Sequence, residues 1–306
     1  MSIDARFSCR LLGPGEGQAY QGHTFPAMRS MLEQTGSDAV CAVAAQDDDG
    51  TPLGLALGHL AAEPDGSAAA QLASLHVRPD ARGAGVGTAL LATFTQLCAR
   101  RGLPRIHAKY MTGPPCTAVI EKLFARAGWS APEPRMLVIQ ATLDSIRAAP
   151  WMKAFPLPER MEIVRWDQLT QSDRDWIAQT QREAPWIPTD LYPFDHEAHC
   201  EPVTSQALKL EGCVVGWVIN HEVEGVLRFT CSFMHRRLQR MGRILLLYNE
   251  AVARMPQAGL HTGMWTVPMW HPSMAAFARR WMAPYATRFD ETRGVSLELP
   301  CLPLMN

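Results

Sequence analysis

Neither sign of charge prevails in this sequence: 29 Lys and Arg stand against 30 Asp and Glu, a net charge of −1. That balance excludes a global field drawing the protein to DNA, RNA or an anionic membrane, so neither a nucleic acid nor a membrane is an expected partner. Long apolar runs are missing as well, and no stretch approaches the roughly 20 residues a bilayer requires. The eight cysteines (Cys9, Cys41, Cys98, Cys116, Cys200, Cys213, Cys231, Cys301) include no Cys-x-x-Cys pair and no zinc-finger spacing. Nor does the N-terminus carry a basic segment followed by an apolar run, so reduced thiols in a cytoplasmic protein are expected. What is present is ordinary globular material. Hydrophobic content of 47% against 19% charged residues fits a folded chain, and 306 residues favour two domains of about 150 each.

The first half alternates strand and helix signals. An amphipathic stretch over 18–34 predicts a helix, and "AVCAVAA" (39–45) a short buried strand closed by the turn-rich "QDDDGTP". Strands follow over 53–60 and 69–77, a helix over 88–102 with Gly102 as C-cap, a strand over 105–111, a helix over 117–129 and a strand over 136–143.

Between the third strand and the long helix lies "RGAGVG", three glycines and an arginine within residues 82–87. Glycine loses more backbone entropy on folding than any other residue, so three together point to a conformation or a close approach that a Cβ would block. A helix that opens there presents unpaired N–H groups with the positive end of its dipole behind them, which is an anion site. The plain alternative is a tight turn with no ligand. A dinucleotide-binding turn needs a different glycine spacing, and a P-loop needs a lysine before Thr88, so neither fits.

Arg82-Gly83-Ala84-Gly85-Val86-Gly87, preceded by "LHVRPDA" and followed by "TALL", resembles the acyl-CoA loop of the GNAT superfamily of N-acyltransferases, Gln/Arg-x-x-Gly-x-Gly/Ala. The order of elements over residues 1–145 resembles that fold too. The resemblance implies an α/β (α+β type) architecture, a mixed and mostly antiparallel sheet flanked by helices, with acetyl-CoA or another acyl-CoA as co-substrate. It implies that backbone N–H groups from Arg82 to Thr88 (Arg82, Gly83, Ala84, Gly85, Val86, Gly87 and Thr88) hold the diphosphate. Leu75 and Val77 on the preceding strand would serve the pantetheine arm and the thioester carbonyl. Thr117 and Phe124 stand where the family often has a pantetheine-contacting Asn and a proton-donating Tyr, and Gln71 and Ala73 where it often keeps a base. None of these four has the family's chemistry, and Phe124 has no proton to give. His59, His107 and Tyr110 are the remaining candidates nearby, with His107 and Tyr110 taken as catalytic; the alternative for each is a packed strand residue.

The second half repeats the first. Gly54 precedes His59 by five residues, as Gly216 precedes His221; Arg82 to Gly87 and Arg237 to Gly242 span five each; "LFARAG" (123–128) is echoed by "AFARRW" (276–281). These ordered coincidences indicate an internal duplication, hence tandem GNAT folds. The expected layout is a first domain over 1–145, a proline-rich linker over 146–160 and a second domain over 161–306. In this alignment Leu238 and Arg240 replace Gly83 and Gly85, so the second domain is expected to be degenerate, packed on the first and completing the acceptor pocket. In "DHEAHC" (195–200), His196 and His199 suggest a metal, but the His-Glu-x-x-His spacing is absent and a structural or pocket-wall role, with Trp186, Tyr192 and Phe194, is the expectation. "HTGMWTVPMWHPSM" is expected to be a core strand and turn.

The function expected is transfer of an acetyl or other acyl group from acyl-CoA to the amine of a small molecule by direct attack. A protein or peptide N-acetyltransferase and a catalytically inactive acyl-CoA-binding module are the alternatives.

Overall fold

The computed structural model describes residues 7–63, 65–152, 156–239 and 242–300. In chain order the elements are β1 (Phe7–Leu11), α1 (Arg29–Leu32), β2 (Val40–Asp47), β3 (Pro52–Ala62), β4 (Ala68–Val77), α2 (Val86–Arg100), β5 (Arg105–Met111), α3 (Thr117–Arg126), β6 (Glu133–Thr142) and α4 (Leu143–Ala148). There follow β7 (Met161–Arg165), α5 (Gln171–Glu183), β8 (Gln206–Leu210), β9 (Cys213–Val223), β10 (Val226–Met234), α6 (Arg236–Gln239), α7 (Ile244–Arg254), β11 (Thr262–Pro268), α8 (Pro272–Phe277) and β12 (Arg288–Glu298).

The chain divides into two compact units, residues 1–134 with 292–306, and residues 135–291. In the first the strand order is β1-β2-β3-β4-β5-β12, antiparallel except for β4 beside β5. In the second it is β6-β11-β10-β9-β8-β7, antiparallel except for β10 beside β11. The passage between units therefore differs from a boundary at 145 followed by a linker over 146–160. β6, in the segment expected to close the first domain, pairs with β11 from Met136 to Thr142, and β12 completes the first sheet against β5. Within 146–160, α4 continues to Ala148, Trp151 is buried, and residues 153–155 lie outside the described residues.

Each sheet is covered on both faces. In β2, Cys41, Val43 and Ala45 belong to the core under α2, while Val40, Ala42 and Ala44 belong to the core formed with Leu12, Tyr20 and Leu32. Period-two alternation with both faces covered is why this strand is an unbroken apolar run. α2 buries Val86, Leu90, Leu91, Phe94 and Cys98, one stripe at helical spacing. Each large side chain so buried contributes about 1.5–3 kcal/mol. The stripe fits because Gly58 lies beneath Phe94: a Cβ there would stand 2.6 Å from the Phe94 ring.

The segment 18–34 is not one helix but two 3-10 turns, Glu16–His23 and Pro26–Met28, leading into the short α1. Pro26 forces extended backbone on Phe25 (φ −65°, ψ 146°), which stops the first turn at His23.

Candidate functional site

The candidate site of the first unit lies where β4 and β5 part. They pair only from Ala70 to Leu72 against Ile106 to Ala108. At that point the register of β4 against β3 skips Ala73, a β-bulge that bends the strand away. β4 then runs on through Leu75, His76 and Val77 with no further pair to β5.

The glycine-rich loop stands directly beyond Val77. Gly83 (φ +83°) and Gly85 (φ +88°) hold left-handed backbone with open space where a Cβ would lie. Arg82 to Gly85 and Thr88 are exposed, Gly87 is half-buried, and only Val86 turns its side chain into the core. Gly85 is the N-cap of α2, and its carbonyl takes the N–H of Ala89 at 3.0 Å. Among the described residues no hydrogen bond uses the N–H groups of Gly83, Ala84, Gly85, Val86, Gly87 or Thr88. Six successive free donors on the positive end of a 15-residue helix, in a loop with no Cβ to bar approach, suit a diphosphate. Arg82 does not point its charge freely outward; its Nε donates to the Val77 carbonyl at 3.0 Å and ties the loop to the end of β4.

On one side of β4, Leu75 and Val77 pack into the α2 core. Tyr110, on β5 beyond the last pair with β4, donates its hydroxyl to Glu121 Oε1 at 2.9 Å, and Arg293 Nη1 holds the same oxygen at 2.8 Å. Its ring lies 5.9 Å from that of Phe124, which is 2% exposed and also meets Trp129. Thr117 opens α3 with its Oγ1 donating to the Pro114 carbonyl at 2.7 Å. His107 stands apart from these, within the paired part of β5, flanked by Gln71 and Ser296. Its Nε2 lies 3.2 Å from Glu63 Oε1. His59 faces Val40 and Gln71 across β3.

Two residues at the site escaped the sequence reading. His76, between Leu75 and Val77, faces away from the α2 core, and its Nδ1 lies 3.3 Å from Nδ1 of His23 at the end of the first 3-10 turn. Their rings meet edge-on at 5.3 Å, and Tyr20 packs 5.9 Å from His23. Burial first, and then the Arg82 charge, lowers the His76 pKa; burial, then His76 and Arg78, lowers that of His23. A cavity of about 520 Å³ borders the same turn, lined by Arg10, Glu16, Tyr20, Gln46 and Pro52 among others.

The second unit repeats this frame in detail. Gly54 opposite Val77 corresponds to Gly216 opposite Met234, and Arg78 N–H to Leu53 O (2.8 Å) corresponds to His235 N–H to Val215 O (2.8 Å). A Cβ on Gly54 would stand 2.6 Å from the His76 carbonyl and one on Gly216 2.9 Å from the Phe233 carbonyl, so both landmark glycines answer one close approach. The bulge recurs at Thr230, and parallel pairing to β11 ends at Phe229. Continued without a gap, this register places Gln239 at Arg82, Gly242 at Gly85 and Ile244 at Gly87, two residues off the alignment that paired Arg237 with Arg82. Gln239 Nε2 donates to the Met234 carbonyl at 2.8 Å, the counterpart of Arg82 on Val77, and Gly242 is left-handed (φ +64°). Arg240 lies outside the described residues and now stands opposite Gly83.

In the 195–200 segment, Glu197 accepts from Trp166 Nε1 (3.0 Å) and Arg174 Nη1 (2.6 Å), and His196 Nε2 contacts the Asp190 carbonyl at 3.0 Å. Among the described residues no three His, Cys, Asp or Glu side chains gather as a metal site, and no helix is long and apolar enough to cross a membrane.

Residues 11–124 match the family model "Acetyltransferase (GNAT) family", and the first unit is a GNAT domain. Members of that family are acyl-CoA-dependent N-acetyltransferases. No curated protein matches the chain by sequence. Among solved structures, a GCN5-related N-acetyltransferase from Sphaerobacter thermophilus superposes with TM-score 0.60 at 16% identity, over 97% of this chain and 98% of that one. A tandem GNAT protein from the clavulanic acid biosynthesis pathway gives TM-score 0.63 at 14% identity over 96% and 98%. The GCN5-related glucosamine N-acetyltransferase region of a fungal multi-domain GH3 β-N-acetylglucosaminidase gives 0.63 at 14%; this chain spans 96% of itself and 38% of that protein. The whole chain thus has the tandem GNAT fold.

Proposed function

We propose that the first unit transfers an acetyl or other acyl group from acyl-CoA to the amine of a small molecule by direct attack. The observation that carries this reading is the run of unused N–H groups from Gly83 to Thr88 at the mouth of the β4–β5 opening. In this reading the loop donors hold the diphosphate, and Leu75 and Val77 lend main-chain groups to the pantetheine arm and the thioester carbonyl, whose developing negative charge needs fixed donors. Tyr110 is the proton donor to the departing sulfur. It lies against Phe124, which has none to give, and its hydroxyl turns about the C–O bond from Glu121. The cavity beside Tyr20 is of a size for a small acceptor.

Calorimetric titration with acetyl-CoA tests the reading. Wild type is expected to bind about one equivalent per chain, and Gly85→Arg, which puts a side chain on left-handed backbone in the open cradle, to bind at least about 100-fold more weakly. Two equivalents would remove the degenerate status of the second unit. No binding by wild type would end the acyltransferase reading.

A further inference from the structure

A direct attack by an amine requires removal of its protons, since a simple alkylammonium in water holds its proton up to about pH 10.4. We propose that the acceptor's proton passes to Nε2 of His76, and that His23 fixes the imidazole that receives it. This rests on the acyltransferase reading above and adds the base which that reading lacks.

His76 is placed for the role by the strand itself. Leu75 and Val77 point into the α2 core, so alternation sends the side chain between them to the opposite face, where its cross-strand neighbour is Leu55 of the core shared with Tyr20. It is therefore on the strand that borders the opening, but on the face bordered by the Glu16–His23 turn rather than that of α2. His107 lies within the segment where β4 and β5 are still paired, short of the point where they part.

The contact with His23 sets the chemistry. Two Nδ1 atoms 3.3 Å apart share one proton, because two N–H groups facing each other repel and two lone pairs form no bond. When His76 donates that proton to His23, its Nε2 carries the lone pair; on accepting a second proton, His76 becomes an imidazolium whose Nδ1–H is already bound. The charged and titratable groups beside the pair are Tyr20, Arg78 and Arg82. No carboxylate is among those that shift it, and burial with the two arginines lowers both imidazole pKa values, so the pair is neutral and receptive near pH 7. The balance is then complete. The amine nitrogen gives one proton to His76, which returns it to solvent; the C–N bond forms, the C–S bond breaks with its electron pair on sulfur, and the second nitrogen proton ends on that sulfur.

The second unit supplies an internal contrast. Phe233 occupies the position of His76, opposite Trp217 as His76 is opposite Leu55, and Trp186 covers it at 5.6 Å where His23 covers His76. That pair takes no proton.

The test measures release of CoA thiol with acetyl-CoA and each of glucosamine, spermidine and histamine over a range of pH, beside calorimetric binding of acetyl-CoA. His76→Gln is expected to lower kcat about 100-fold and to abolish the acidic limb of the pH profile, with acetyl-CoA affinity within about twofold of wild type. His23→Gln, whose Oε1 accepts an Nδ1–H, is expected to keep most of the rate, whereas His23→Phe loses about tenfold and shifts the limb. A His76→Gln protein that binds acetyl-CoA and keeps wild-type rate and pH profile overturns the proposal and leaves the acyltransferase reading standing. A wild type that binds acetyl-CoA yet acetylates none of the three amines overturns both.

Discussion

The two units share a frame and differ in what it presents. Both have the bulge, the parting of two parallel strands, the glycine pressed against the neighbouring strand, and a side chain at position 82 or 239 tied to the last carbonyl of the central strand. These features follow from backbone geometry and are present in both units. The differences lie where a ligand would be. Gly87 is matched by Ile244, and the His23–His76 pair by Trp186–Phe233, an aromatic contact continued into Trp217 at 4.9 Å. An anchoring arginine or glutamine therefore reports a fold, whereas the small residue at 87 and the imidazole at 76 are where the proposed chemistry sets the two units apart.

Exchanging the differing residues breaks the comparison most severely. Gly87→Ile copies the second unit into the first. A Cβ at Gly87 meets only Val77 Cγ2 at 3.6 Å and Leu123 Cδ2 at 3.8 Å, ordinary contacts, so the fold accepts it. The branched side chain then covers the donors, and acetyl-CoA affinity is expected to fall at least about tenfold, roughly 1.4 kcal/mol, with little change in Tm. An unchanged affinity would mean that Ile244 is no obstacle in the second unit either. A shared feature gives a smaller and symmetric effect. Gly85→Ala and Gly242→Ala each place a Cβ on left-handed backbone and should each cost about 1 kcal/mol of stability, while only the first weakens acetyl-CoA binding.

Much of this was legible in the sequence, for identifiable reasons. The loop "RGAGVG" and the strands and helices around it are local patterns, and the structure places β5 and the start of α3 on the predicted residues. The duplication showed through Gly54 and Gly216 because a steric demand, a carbonyl under 3 Å from where a Cβ would be, permits no other residue. The loop register was misread by two residues because Arg237 resembles Arg82 in type, while the functional counterpart, Gln239, makes the same bond with a different group. The strand exchange was hidden because β6 and β12 both carry ordinary strand patterns, and no local pattern names a partner. The His23–His76 contact was hidden by a sequence separation of 53 and by reading 18–34 as one helix, a form that leaves no turn to end at His23.

The histidine pair also predicts a modest pH dependence of stability in the first unit. Both imidazoles have lowered pKa values in the folded state. Above the unfolded value near 6.5 both states are neutral and the pair contributes no slope. Below it the unfolded chain takes up protons that the folded pair resists, so stability is lost as pH falls through 6.5 toward the folded values. Thermal melts should show Tm falling on acidification by a few degrees, ~2–4 °C per kcal/mol for a unit of this size, and less steeply in His76→Phe, which copies Phe233. A slope unchanged by that substitution would place the acid sensitivity elsewhere.

The smallest expected effect is the sharpest on the anchor. Arg82 and Gln239 make one hydrogen bond each to equivalent carbonyls, at 3.0 and 2.8 Å, and Arg82 is otherwise exposed. Arg82→Gln should therefore preserve the loop, with Tm and acetyl-CoA affinity changing by less than about twofold in equilibrium terms, whereas Arg82→Ala removes the bond and costs about 1 kcal/mol. The near-null result is the informative one, because it separates the side chain's hold on the Val77 carbonyl from its charge. If Arg82→Gln weakens acetyl-CoA binding tenfold while Arg82→Ala does no worse, the guanidinium meets the diphosphate directly, and the second unit lost more than loop spacing when glutamine stood in that position.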